Sequence, residues 1–175
     1  AITPMGRQHE NDREATAADL KWLADPAEEP EPFGDGGTKM AWNTFNVVSI
    51  YPNGNPVMSD VNQRWVGDCC ACAVIASMAY LYPRFVKHII KDNMDKTYTV
   101  TMYDPKGKQI SVGVGGDYFI GNSGDLGALG GRNKEVTWAT ILEKAMIKWN
   151  QIYQGSSNVG GIGTEYVSAI FTGDG

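Results

Sequence analysis

Cysteine is scarce in this 175-residue chain and badly placed for cross-linking: the 3 cysteines stand at positions 69, 70 and 72. A disulfide framework needs spaced, usually even-numbered cysteines, so these read as reduced thiols rather than as a scaffold. Histidine is scarcer still. His9 and His88 occupy unrelated contexts and no second ligand pair accompanies the cysteines, which argues against a zinc site. No apolar run approaches the roughly 20 residues that span a bilayer, which excludes a membrane-crossing helix. Nor is there an excess of basic residues. Lys and Arg total 15 against 20 Asp and Glu, a net charge of -5, where a nucleic-acid binder normally carries a clustered basic face. Ala1 to Glu14 lacks the apolar core of a secretory signal. The chain opens on alanine rather than methionine, which suggests that a leader, a pro-segment or a tag was removed. The compartment stays open, with a lean toward the secreted or cell-envelope space of a bacterium.

What is present suits one globular domain: 42% hydrophobic and 20% charged residues over a length that can bury a sizeable core. Residues 1–40 are polar, with an acidic, proline-rich stretch from Asp25 to Pro32 and glycines at 34, 36 and 37. This zone reads as an N-terminal arm or pro-like extension lying on the surface, or as a solvated tail. Within it Thr16 is placed to cap a short helix through Leu23, with Leu20 and Leu23 on one face.

Residues 41–175 form the domain proper. Phe45, Val47, Val48, Ile50 and Tyr51 suggest an extended segment, and Pro52-Asn53-Gly54-Asn55-Pro56 forces a turn. The uncharged, alanine-rich stretch from Cys69 to Leu81 predicts a buried helix with Asp68 as its N-cap. Pro83 opens a second helix to about Lys91. Residues 97–103 and 109–114 alternate as strands about Asp104-Pro105-Lys106-Gly107, a hairpin signal. Residues 121–134 read as a glycine-rich loop. Thr137 caps an amphipathic helix from Trp138 to Tyr153, whose apolar side carries Trp138, Ile141, Leu142, Ala145, Met146, Trp149 and Ile152. A short helix then ends near Phe171. The expected fold class is α+β: a mainly helical subdomain with a small antiparallel hairpin sheet.

The segment Gln63-Arg64-Trp65-Val66-Gly67-Asp68-Cys69-Cys70-Ala71-Cys72 carries the chemistry. A cysteine in the first turn of a helix faces unpaired backbone N–H groups and the positive end of the helix dipole. Both favour the thiolate, which is the nucleophilic form. A glycine just before it permits a tight entry and close substrate approach. Gln63 can fold back so that its amide and the Cys69 N–H donate together to a developing oxyanion. Asp68 must point away from the sulfur, because its charge opposes thiolate formation. Cys70 and Cys72 turn away from the Cys69 face and read as small buried hydrophobes.

Gln63, Gly67, Asp68 and Cys69 resemble the signature of the calpain family of papain-type cysteine proteases: glutamine, then glycine-aspartate-cysteine, with the cysteine six places after the glutamine. The likeness continues in register. Trp138 to Ala145 resembles the family's tryptophan-to-leucine-glutamate-lysine-alanine helix, and Phe171-Thr172-Gly173 resembles the close of its first catalytic subdomain. The match runs from Asp60 to Gly173 and rests on three ordered motifs. Cys70 stands where the family usually has tryptophan, and Arg64 where it usually has glycine, so the cleft wall differs and substrate preference is not implied.

The resemblance implies a papain-like fold and a cysteine endopeptidase, with Cys69 as nucleophile and Gln63 in the oxyanion hole. It places the histidine base and its orienting asparagine in a second subdomain after the phenylalanine-threonine-glycine motif. His9 and His88 lie where the family carries no catalytic residue. The implied partners are therefore a protein or peptide substrate and a second chain or subdomain bearing His and Asn, without which this fragment is inactive. No cofactor is required for the chemistry. The resemblance also implies a calcium ion held by Asp60 with the carbonyls of Asn53 and Asn55, although Gln154 replaces the glutamate the family uses there. A polar turn capped by an aspartate accounts for the same residues. Two other functions stay open: a calpain-like binding or regulatory module without catalysis, and a cysteine-dependent deamidase or transferase.

Overall fold

The computed structural model describes residues 13–31, 41–45, 47, 49–62, 69–120, 135–155 and 164–173. Among them the fold is α+β, with small antiparallel sheets among the helices. In chain order the elements are α1 (Ala17–Ala24), β1 (Ala41–Thr44), a 3-10 turn (Met58–Asp60), α2 (Cys69–Leu81) and α3 (Pro83–Ile89). They continue with β2 (Ile90–Asp92), β3 (Tyr98–Tyr103), β4 (Gln109–Val114), β5 (Asp117–Ile120), α4 (Trp138–Gln154) and α5 (Thr164–Thr172).

Most boundaries follow from local chemistry. Thr16 closes a capping box on α1: its hydroxyl accepts from the Asp19 N–H at 3.1 Å, and the Asp19 carboxylate accepts from the Thr16 N–H at 3.0 Å. Thr137 caps α4 through the Ala139 N–H, and Gly155 ends it with φ of 74°, a left-handed conformation that glycine adopts without strain. At the hairpin tip the Asp104 carboxylate accepts from the N–H groups of Lys106 and Lys108, and Gly107 supplies the positive φ. Alternation along β3 buries Tyr98, Val100 and Met102 on one face.

Several sequence expectations need correction. Phe45 to Tyr51, read as an extended segment, holds no strand among its described residues; a strand lies just before it, at Ala41–Thr44, and pairs with β5. The helix opened by Pro83 stops at Ile89. Residues 90–92 then add a third strand to the hairpin, in the order β2-β3-β4. Ile90 is β-branched and pairs with Val100, so sheet pairing wins over helix continuation there.

The largest correction concerns α4. It was expected to be amphipathic, yet it is buried all round: Glu143, Lys144, Lys148 and Asn150 are as inaccessible as its apolar residues. Strands β3 and β4, helix α2 and helix α1 all pack against it. What covers Lys144 and Lys148 is the N-terminal zone. Residues 13–31 are not a solvated tail. Leu23 is fully buried in the core, and Trp22 packs against it. The strap is tied at both of its own ends, to the last turn of α4 and to β1. The Arg13 N–H donates to the Tyr153 carbonyl at 2.9 Å, the Glu31 N–H to Gln151 Oε1 at 2.7 Å, and the Trp42 indole to the Pro30 carbonyl at 2.9 Å.

Two lysines of α4 anchor the strap from below. Lys148 Nζ donates to the carbonyls of Asp25 at 2.9 Å and Gly113 at 2.7 Å and lies 5.0 Å from the centre of the Trp22 ring. Lys144 pairs with Glu29 at 2.6 Å, donates to the Asp117 carbonyl, and sits 4.5 Å over the Trp42 ring. Burial pushes the Lys148 amine down to about 8 and lowers that of Lys144 as well. It raises the Glu29 carboxyl, against the pull of Lys144.

Candidate active site

Cys69 is the first residue of α2, so the backbone puts the expected nucleophile in the first turn of a 13-residue helix. Ala71 and Ile75 fix that helix in the core, both fully buried, and α2 packs against α5, α3 and the 3-10 turn. Cys72, one turn inside, is partly buried. Gln63, Arg64 and Asp68 lie outside the described residues, as do the side chains of Cys69 and Cys70, His9, and the 121–134 loop. His88 is exposed on α3.

The two other motifs show what their residues do. In the 138–145 motif, Trp138, Leu142 and Ala145 fill the core, while Lys144 holds Glu29. At the end of α5, Phe171 is fully buried and the Gly173 N–H closes the helix on the Ala169 carbonyl at 2.8 Å. Gly173 has φ of 81°, and a Cβ there would lie 3.1 Å from the Tyr103 ring. The motif is thus an anchor followed by a helix stop.

Asp60 is densely hydrogen-bonded. It is 2% exposed, and its two carboxylate oxygens accept three N–H donors. Asn53 Nδ2 donates to Oδ1 at 3.0 Å, while the Val57 N–H and the Trp138 indole donate to Oδ2 at 3.2 and 2.8 Å. The Asp60 carbonyl accepts from the Thr137 hydroxyl at 3.3 Å, and the Trp138 N–H donates to the Ile50 carbonyl at 2.9 Å. The turn at 50–60 is thereby pinned to the first residues of α4.

Where the resemblance implies a calcium ion, the Asp60 carboxylate accepts three protein donors. Asn53 and Asp60 do come together, through the side-chain amide of Asn53, whereas the calcium reading calls on its backbone carbonyl. Asn55 lies exposed in the turn. Gln154 is sixteen residues beyond Trp138 on α4, roughly 24 Å away at 1.5 Å per residue. It cannot share a coordination shell with Asp60. Among the described residues no trio of His, Cys, Asp or Glu gathers in a metal-binding group. The hydrogen bond from the Val57 N–H to Asp60 is that of a capped turn.

Trp138 and Thr137 were not singled out as partners of Asp60 by the sequence, which separates them by more than seventy positions. A tryptophan at the first helical position is the available signal, since a buried indole N–H must find an acceptor. No helix of the described residues is long and apolar enough to cross a membrane. Compared with known proteins, the chain matches no protein-family model, and no curated protein matches it.

Proposed function

We propose that the chain is the nucleophile-bearing subdomain of a calpain-like, papain-type cysteine endopeptidase. The observation that carries this reading is the start of α2 at Cys69, in register with the Gln63, Trp138-to-Ala145 and Phe171-to-Gly173 motifs. Unpaired N–H groups and the dipole of a first helical turn favour the ionised sulfur, the form the reaction requires.

In this mechanism a histidine on a second polypeptide portion takes the Cys69 proton, and an asparagine holds its imidazole in the right tautomer. The thiolate attacks the scissile carbonyl. The resulting oxyanion is held by the Cys69 N–H and the Gln63 amide. The imidazolium then protonates the departing amine, the C–N bond breaks, and a thioester remains on Cys69. Water, deprotonated by the same imidazole, attacks the thioester. The acid product leaves and the thiol is restored. The substrate is an extended polypeptide lying between the two portions. No step requires a metal.

The test is covalent labelling of this chain assembled with its histidine-bearing portion. A peptidyl epoxide directed at cysteine proteases should modify Cys69, and Cys69→Ser should abolish both labelling and hydrolysis of a casein substrate. Assembled protein that resists the epoxide while still binding peptide would instead indicate a non-catalytic calpain-like module. Release of ammonia from glutamine side chains without chain cleavage would indicate a deamidase.

A further inference from the structure

The geometry points to Asp60 as a positioning residue for the Cys69 site, acting through the Trp138 indole and using protein N–H donors where a cation would otherwise be needed. This inference rests on the reading of Cys69 as the nucleophile. Asp60 lies nine residues before Cys69, and the 3-10 turn that it closes packs directly against α2. The same turn is bound to α4 at three points: Trp138 Nε1 to Asp60 Oδ2, the Thr137 hydroxyl to the Asp60 carbonyl, and the Trp138 N–H to the Ile50 carbonyl. The turn is therefore wedged between the helix that begins at Cys69 and the helix that runs through the core. Chain leaving Asp60 toward Gln63 and Cys69 starts from a point fixed against both.

A buried carboxylate without compensation is costly, so its three donors are a requirement of the site rather than an incidental feature. They come from three separate places: a turn side chain, a backbone amide and the indole of α4. Loss of the carboxylate removes the indole tie between the turn and α4, together with the two donors that close the turn on itself, without removing any group that would touch substrate. The expected consequence is a Cys69 that is still present but no longer held where its thiolate is favoured.

The experiment is site-resolved alkylation by iodoacetamide as a function of pH, on the full chain, with modified peptides quantified separately for Cys69 and Cys72. In the wild type, Cys69 should react with a midpoint below that of an ordinary thiol, with or without calcium chloride or a chelator. Asp60→Asn should slow Cys69 at neutral pH by roughly tenfold, the effect of one unit of thiol pKa on the thiolate fraction. Labelling of Cys72, one turn further along α2, should not change. Asn53→Ala removes a single donor from an exposed turn, is the milder change to the fold, and should slow Cys69 about two- to threefold by the same reasoning.

An unchanged Cys69 profile in both variants overturns the positioning role. Equal acceleration of Cys69 and Cys72 overturns it too, because that pattern reports general loosening. A calcium-dependent rise in the wild-type Cys69 rate assigns the task to a cation instead. If wild-type Cys69 titrates as an ordinary thiol, the nucleophile reading itself fails, a result distinct from the other three.

Discussion

Lys148 Nζ lies 2.7 Å from the carbonyl oxygen of Gly113, and both residues are buried. The same ammonium reaches the Asp25 carbonyl at 2.9 Å, so one side chain of α4 joins the strap to strand β4. Replacing it with methionine keeps the stem and removes the donor, leaving two backbone acceptors without it. An orphaned buried acceptor costs about 1–3 kcal/mol, partly offset here because a desolvated charge is also removed. Lys148→Met should therefore lose about 1–3 kcal/mol by urea unfolding at neutral pH. Unchanged stability would mean that the strap is held by Leu23 and the Glu29 pair alone.

The same lysine makes stability depend on alkaline pH. Its amine titrates near 8 in the fold, well below its unfolded value, because burial disfavours the charge. Between those two values the unfolded chain binds more protons than the folded one, so stability rises with pH from about 8 upward. Lys144, also lowered by burial, acts in the same direction. The buried tyrosines oppose this at higher pH. Tyr51 and Tyr153 are pushed up to about 12 and Tyr118 is raised further, so unfolding releases their protons above pH 10 and stability falls. Urea midpoints from pH 7 to 11 should climb, peak near pH 10 and decline. Lys148→Met should flatten the climb. A monotonic fall from pH 8 contradicts the burial of both lysines.

Close backbone approach secures the strap where side chains do not. A Cβ at Gly113 would sit 2.5 Å from the Ala24 carbonyl oxygen and 2.7 Å from the Pro26 nitrogen, neither of which can rotate away. Gly113→Ala should therefore lift the strap from β4, at about 1–3 kcal/mol as for other overpacked sites. The strap should then open more often than the rest of the fold. Trypsin cleavage after Lys21, in α1, is the readout, and it should accelerate well before the domain unfolds. Equal resistance in the variant and the wild type would show that β4 yields instead of the strap.

How far the sequence could be read followed the range of each interaction. Thr16, Asp104, Thr137 and Pro83 signal their caps and turns through neighbours within four positions, and those boundaries appear where expected. The alternation of β3 is equally local. The burial of Lys144 and Lys148 was not legible, because their partners lie more than a hundred positions away in a segment whose acidic, proline-rich composition resembles a solvated tail. Strand β2 was missed for a related reason: three residues carry too little pattern to outweigh the helix before them. For the candidate site, the helix start at Cys69 was legible from composition. The role of Asp60 was not, since a turn aspartate looks alike whether it binds a cation or an indole.

That last ambiguity yields a direct measurement of stability. Removing the Asp60 carboxylate leaves the indole N–H of the fully buried Trp138 without its acceptor and frees the Val57 amide. Asp60→Ala should cost about 2–4 kcal/mol, the sum expected for one or two stranded buried donors. In the wild type three protein donors already occupy the carboxylate, so millimolar calcium would have to displace them and the thermal midpoint should not move. A cation binding the folded chain alone would add roughly 2.7 kcal/mol at a hundredfold excess over its dissociation constant, enough to raise the midpoint by several degrees. A calcium-dependent rise that disappears in Asp60→Ala would mean that the three donors give way to the ion, and the capped-turn account of Asp60 would then be wrong.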